Sequence, residues 1–283
     1  MSQSALEIFH RHLQARGLRA STQETYVACL ARLIARVGKE PASITSADAY
    51  AYLVEQSNRL RPTASWYNVI FTAVVRWFEM RGVALDLRGL QPQRRLRQPP
   101  RWLGKGDVRR LIRAADDRRY RLAFQVVVAT GLRVSELIAL RVQDIDPDQP
   151  LLRVAAGKGG DGRLVPLPPL LMERLRAYWR TFRPRDYFFE RRPGHDPRPL
   201  HPATLNQALR RAQLAAGLTE RVTIHRLRHT FAIHSLRAGM DIVTLQHLLG
   251  HRCISSTIHY LTPDLRRPPL SPIDLLALLG IEP

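Results

Sequence analysis

Six side chains between positions 133 and 260 of this 283-residue sequence are of the types that carry phosphoryl transfer without a metal ion: Arg133, Lys158, His225, Arg228, His251 and Tyr260. Arg133 stands in Ala129-Thr130-Gly131-Leu132-Arg133-Val134-Ser135-Glu136-Leu137, where a glycine closes one helix and a new helix begins. Backbone N–H groups at such a start favour an anion, and arginine can hold a phosphate through two parallel bonds. Taken alone, a surface arginine at a helix start reads equally well. Lys158 sits in Gly157-Lys158-Gly159-Gly160-Asp161-Gly162. That string lacks the order of a phosphate-binding P-loop, so its glycines read as a turn with a lysine at its tip. His225, Arg228 and His229, in His225-Arg226-Leu227-Arg228-His229-Thr230, are three and four apart and share one helical face. The His225/His229 pair has zinc-ligand spacing, but Arg226 replaces the glutamate of that motif and Arg228 adds a repelling charge. Leu248-Leu249-Gly250-His251 and, nine residues on, Tyr260 complete the set. A lone histidine after glycine, or a lone tyrosine, would count for nothing.

The combination has no acidic cluster. Carboxylates would be needed to hold Mg²⁺, and without an ion the positive charge must come from side chains. A tyrosine oxygen, with a pKa near 10, needs a proton acceptor before it attacks, and His225 or His251 is of the right type. A departing oxygen needs a proton, which lysine can give and arginine cannot.

The overall charge points the same way. Lys and Arg number 44 against 24 Asp and Glu, a net charge of +20. Such an excess speaks of partners rather than of fold, and nucleic acid is the commonest, because each cation on a phosphate releases counterions. Lysine occurs only at Lys39, Lys105 and Lys158, so Lys158 stands out in a chain whose default cation is arginine. Cys29 and Cys253 are far apart and suggest neither a disulfide framework nor a metal cluster. The N-terminus has no apolar signal core, and no stretch is apolar enough to span a bilayer. These features predict a cytoplasmic protein with no membrane association.

The elements that must position this chemistry fall into two groups. In the first third, Tyr26, Leu30, Leu33, Ile34 and Val37 recur at helical spacing behind a Ser21/Glu24 capping pattern. Thr45 and Asp48 repeat the pattern before Tyr52 and Leu53. Trp66, Ile70, Val74, Trp77 and Phe78 mark a further helix, which Gly82 is placed to end. The texture then changes to prolines and arginines without periodicity, a linker signature. Beyond Trp102, helical patterns at Asp107–Ala115 and Tyr120–Ala129 precede two short strands, Leu151–Ala155 and Arg163–Leu167, around the glycine turn. Helices resume over Pro169–Arg180, Thr204–Leu214 and most of His225–Tyr260. The predicted fold is mainly α with a small antiparallel β-sheet, in two domains.

The five motifs, in this order and spacing, resemble the tyrosine recombinase (integrase) family, which includes phage integrases and Xer resolvases. The resemblance implies a helical core-binding, SAM-like DNA-binding domain at 1–84, a basic Pro/Arg linker at 85–101, and a catalytic domain with a C-terminal tail at 102–283. It implies that Arg133 and Arg228 clamp a phosphate and that Lys158 protonates the leaving 5′ oxygen. His225 and His251 correspond to the family's two motif histidines, and Tyr260 to its nucleophile. Glu136 and His229 would support the site indirectly. Ile224 and Arg226 depart from the family, where many relatives have Pro and Asp. No cofactor or metal is implied. The partners implied are double-stranded DNA bearing specific recombination sites and further copies of the chain, a tetramer on synapsed DNA, with a partner recombinase as a variant. The apolar tail segment Leu275–Leu279 is too short to fold alone and would dock on its own domain or a neighbour's. A type IB topoisomerase shares the chemistry but cuts one strand without paired sites. A DNA-binding regulator that has lost catalysis would lack an active residue, and none is missing. A metal-dependent nuclease would need the absent carboxylates.

Overall fold

The computed structural model describes residues 2–59, 64–93, 101–155, 162–192 and 195–261. The chain divides into two compact units, 1–97 and 98–283. Lys158, the middle of the Pro/Arg stretch and the tail segment Leu275–Leu279 lie outside the described residues.

Among the described residues the first unit holds four α-helices, α1 (Ser2–Ala15), α2 (Ala20–Val37), α3 (Ser46–Arg59) and α4 (Ala64–Arg81). Cys29, Leu30, Leu33 and Ile34 of α2 face Tyr67, Ile70, Phe71, Val74, Trp77 and Phe78 of α4 across a buried core. The 3.6-residue spacing of these apolar positions makes each helix bury one stripe. Thr45 and Asp48 form the reciprocal cap at the start of α3, Thr45 N–H donating to the Asp48 carboxylate and Asp48 N–H to Thr45 Oγ1. Ser21 does not play that part in α2. The helix already begins at Ala20, where the Arg19 carbonyl accepts from Thr22 and Gln23, and the Gln23 amide donates back to Leu18 O.

Residues 85–93 are not a free connector. Leu85, Leu87 and Leu90 pack on the first core. Asp86 exchanges two hydrogen bonds with Ser46, and the Asn68 side chain pairs with both backbone groups of Gln93. Composition made this stretch look like a linker because prolines and arginines hide the three leucines that anchor it.

The second unit opens with α5 (Lys105–Arg113), α6 (Arg118–Thr130) and α7 (Val134–Ala139). A three-stranded antiparallel sheet follows, β1 (Ile145–Asp146), β2 (Leu151–Val154) and β3 (Arg163–Pro166), with Val154 opposite Arg163. Then come α8 (Pro169–Phe182), a separate two-stranded ladder of β4 (Glu190–Arg192) and β5 (Asp196–Pro199), α9 (Pro202–Ala215), α10 (Ile224–Arg237), α11 (Ile242–Leu249) and α12 (Ser255–Ile258). The second ladder was not anticipated: its strands hold charged residues and two prolines, and no apolar alternation marks them. None of the described helices is long and apolar enough to cross a membrane.

α6 packs along α10, and Gly131 makes that approach workable. Its φ is +68°, and a Cβ there would stand 2.5 Å from the Phe231 ring and 2.9 Å from Leu249. α10 is capped by the Thr223 hydroxyl, which accepts from Arg226 N–H, and Ile224 at its start enters the core. Asp241 caps α11 by accepting from Val243 and Thr244, and Gly250, at φ +61°, ends it.

One ionic tie joins α7, β3 and α11. Arg163 donates both terminal nitrogens to the Glu136 carboxylate at 2.9 Å and its Nε to Leu248 O at 2.6 Å. The two side chains are 7% and 15% exposed, so water screens little of the interaction. Burial pushes the Glu136 carboxyl pKa up, but the hydrogen bonds and charge of Arg163 and Arg133 outweigh it and hold it at about 2, against an ordinary 4.5. A depressed acid stabilises the fold above its ordinary pKa and loses that contribution as pH falls through the folded value. At ~1.4 kcal/mol per pKa unit the contribution is about 3 kcal/mol. Glu136→Gln should therefore unfold the second unit about 3 kcal/mol more easily than wild type in denaturant at neutral pH. The gap should close as pH is lowered toward 2, and a gap independent of pH would show that the ion pair is not its source.

Candidate active site

The end of α11 organises the site. Three consecutive carbonyls there each accept from a different arginine: Leu248 O from Arg163 Nε at 2.6 Å, Leu249 O from Arg228 Nη2 at 2.7 Å, and Gly250 O from Arg133 Nη2 at 3.0 Å. The last carbonyls of a helix have no partner within it and carry its negative dipole end, so they suit cations. Gly250 leaves room for this arrangement. A Cβ on it would lie 2.8 Å from the Arg163 guanidinium.

Arg133 is the residue just before α7, as expected from the glycine that closes α6. Its backbone N–H donates to Glu136 Oε2 and its Nη1 to Oε1, both at 2.8 Å, while its side chain stays 40% exposed. Arg228 is the opposite case, a guanidinium 1% exposed. It donates Nη1 to Gly131 O at 2.7 Å and Nη2 to Leu249 O, and its Nη2 also lies 3.0 Å from His251 Nε2. Burial draws its pKa down to about 10, with Arg133 adding to the effect and Tyr260 and Glu136 opposing it. It remains charged at neutral pH.

The contacts of His251 fix its tautomer. Arginine has no acceptor, so Nε2 must accept from Arg228, and the proton sits on Nδ1, 2.9 Å from Thr257 Oγ1. Burial first, then Arg228, Arg133 and Arg163, depress the pKa of this histidine to about 4. His225 is lowered by burial, Arg228 and Arg133, and its ring meets His229 edge-on with centroids 4.2 Å apart. His229 falls to about 4 through burial and the neighbouring His225, Arg228 and His251. The histidines are thus neutral at physiological pH, and the arginines carry the charge.

Tyr260 follows α12 and is 3% exposed. Its hydroxyl lies 2.9 Å from His229 Nδ1, and its ring is parallel to that of His251 with centroids 6.2 Å apart. Burial raises the phenol pKa, while Arg228 and Arg133 pull it down. Arg133, His225, Arg228, His229, His251, Glu136 and Tyr260 are therefore gathered in one place, and Lys158 lies outside the described residues. Among the described residues no three His, Cys, Asp or Glu side chains are grouped to hold a metal ion.

Two participants escaped sequence reasoning. Arg163 had a signal: it opens a strand whose alternate residues, Arg163 and Val165, are buried, so a charge faces the core. Thr257, buried and bonded to His251, had none beyond its nearness to Tyr260.

The chain has relatives in sequence and in fold. Residues 101–266 match the model described as the phage integrase family, a span that includes every residue of the site, and residues 6–80 match the model for a phage integrase N-terminal SAM-like domain. A putative integrase/recombinase of Sinorhizobium fredii is 33% identical over 88% of this chain and 81% of its own length. The tyrosine recombinase XerA of Pyrococcus furiosus is 32% identical over 90% of this chain and 88% of its own. The crystal structure of a XerA recombinase aligns at 26% identity with a TM-score of 0.54, covering 93% of this chain and 94% of that one. A lambda integrase dimer bound to a core site shares the fold, with a TM-score of 0.76 at 21% identity over 96% of this chain and 80% of that one. The chain belongs to the phage integrase family of tyrosine recombinases.

Proposed function

We propose that this protein recombines double-stranded DNA at specific sites, cutting and rejoining strands through a 3′-phosphotyrosyl link at Tyr260. The observation that carries this reading is the placement of the Tyr260 hydroxyl beside neutral histidines and the buried Arg228, in a site whose positive charge resides on arginine.

Arg133 and Arg228 take the non-bridging oxygens of the scissile phosphate, where their charge meets the growing charge of the five-coordinate state. Glu136 keeps the two guanidinium groups aimed by engaging Arg133 directly and Arg163 beside them. The Tyr260 oxygen attacks phosphorus, the 5′ oxygen leaves, and Lys158 gives it a proton. His225 lines the site as a neutral ring able to hydrogen-bond the phosphate, and His251, accepting from Arg228 and bonded to Thr257, steadies that guanidinium. The phosphotyrosyl ester stores the energy of the broken bond, so a 5′ hydroxyl can reverse the step without a nucleotide cofactor. Exchange between two duplexes needs four active sites, which supports a homotetramer on paired DNA sites in the cytoplasm, with a related recombinase able to supply half of it.

The test is a duplex bearing the recombination site, with a nick beside the scissile phosphate so that the released fragment diffuses away, incubated in EDTA. Wild type should accumulate a covalent protein–DNA adduct, and Tyr260→Phe should bind the same DNA and form none. Tight binding by wild type with no adduct would leave a DNA-binding regulator as the better account. Lys158→Ala should slow adduct formation by about 10²–10⁴-fold. A sulfur atom at the bridging 5′ position, which leaves without needing a proton, should restore the rate; no recovery would remove Lys158 from the acid role.

A further inference from the structure

We propose that His229 is a catalytic residue, its Nδ1 taking the hydroxyl proton of Tyr260 as the phenol oxygen attacks the phosphate. The inference rests on reading Tyr260 as the nucleophile. It assigns the proton to neither His225 nor His251, the two histidines to which sequence reasoning gave it.

The contacts decide among the three rings. His251 Nε2 already accepts an N–H from Arg228, and its other nitrogen is turned to Thr257, so it offers Tyr260 no free lone pair. His225 meets Tyr260 only through its neighbour, lying edge-on against the His229 ring. The hydrogen bond of the phenol is to His229 Nδ1 at 2.9 Å, within the range for direct proton transfer. Arg228 decides the direction of that bond. Its guanidinium only donates, and it lies close enough to the phenol oxygen to draw its pKa down. The oxygen's lone pairs thus face a cation, which turns the hydroxyl proton toward the imidazole.

The surroundings keep the acceptor ready. His225, Arg228, His251 and Tyr260 all face the His229 ring, and burial with the neighbouring charges holds it neutral, with Nδ1 turned to the phenol oxygen. A base this weak abstracts nothing from tyrosine at rest. It becomes competent when the phosphorane's extra negative charge develops alongside. The balance is simple: the Tyr260 O–H bond breaks and an Nδ1–H bond forms, the O–P bond forms, the P–O5′ bond breaks, and Lys158 supplies the proton to O5′. On rejoining, His229 returns its proton to the departing tyrosine.

His229→Asn separates the two roles the ring could have, because the Asn Oδ1 can stand near the place of Nδ1 and accept a hydrogen bond without taking a proton. With enzyme and nicked DNA premixed at saturation, the first-order rate of adduct formation should fall by about 10²–10⁴-fold while DNA affinity stays unchanged. The 5′-bridging sulfur should leave this variant slow while it restores Lys158→Ala, since a better leaving group does nothing for an undelivered nucleophile. A rate within a few-fold of wild type, or recovery on sulfur, would overturn the assignment. Should the variant not fold, ¹⁵N-histidine NMR of wild type beside Tyr260→Phe gives an independent answer. His229 must carry its proton on Nε2, with an Nδ1 resonance that moves when the phenol oxygen is removed, and a proton on Nδ1 would overturn the proposal. If wild type itself forms no adduct, it is the recombinase reading that fails.

Discussion

The seating of three guanidinium groups on three consecutive carbonyls at the end of α11 is the interaction on which the rest of the catalytic unit depends. Like charges gathered this closely would repel one another and lose their hydration. Here the carbonyls of Leu248, Leu249 and Gly250, the dipole of the helix and the carboxylate of Glu136 replace water. The arginines come from α10, from the start of β3 and from the residue before α7. One helix end therefore fixes the relative positions of three segments spread between Arg133 and Arg228.

Two glycines follow from that constraint. Gly131 sits where its carbonyl meets Arg228 and where a Cβ would collide with Phe231 and Leu249, and Gly250 sits where a Cβ would press on Arg163. Each also adopts a positive φ that closes a helix. The motifs around them are thus packing requirements of the arginine cluster as much as chemical ones. The same cluster sets a division of labour. Burial among fixed positive charges keeps the histidines neutral and able to hydrogen-bond, while the arginines carry the charge.

Much of this was legible in the sequence because the relevant signals are local. Gly131 before Arg133, the three- and four-residue spacing of His225, Arg228 and His229, and Gly250 before His251 each state a helix end or a helix face. The mainly helical fold with its three-stranded sheet follows from apolar periodicity and the glycine turn. What stayed hidden depends on contacts distant in sequence. Arg163 meets Glu136 and Leu248 across 27 and 85 residues, and only its inward register on β3 hinted at it. The bond between His229 and Tyr260 joins residues 31 apart and turns on how α12 returns the chain to α10. Leu85, Leu87 and Leu90 anchor a stretch whose prolines and arginines suggested a linker. The paired strands β4 and β5 carry no alternation to betray them.

The central claim is that arginine charge, held in place by α11 and Glu136, does for the phosphate what a metal ion would otherwise do. The most direct measurement replaces one non-bridging oxygen of the scissile phosphate with a methyl group, which removes the negative charge and leaves the tyrosine's task unchanged. Adduct formation by wild type and Arg133→Ala would be compared on the two DNAs. The account predicts that Arg133→Ala is slower than wild type by about 10²–10³-fold on the phosphate and close to it on the neutral methylphosphonate. An equal deficit on both would mean that Arg133 holds the fold together rather than neutralising the phosphate, and would contradict the account.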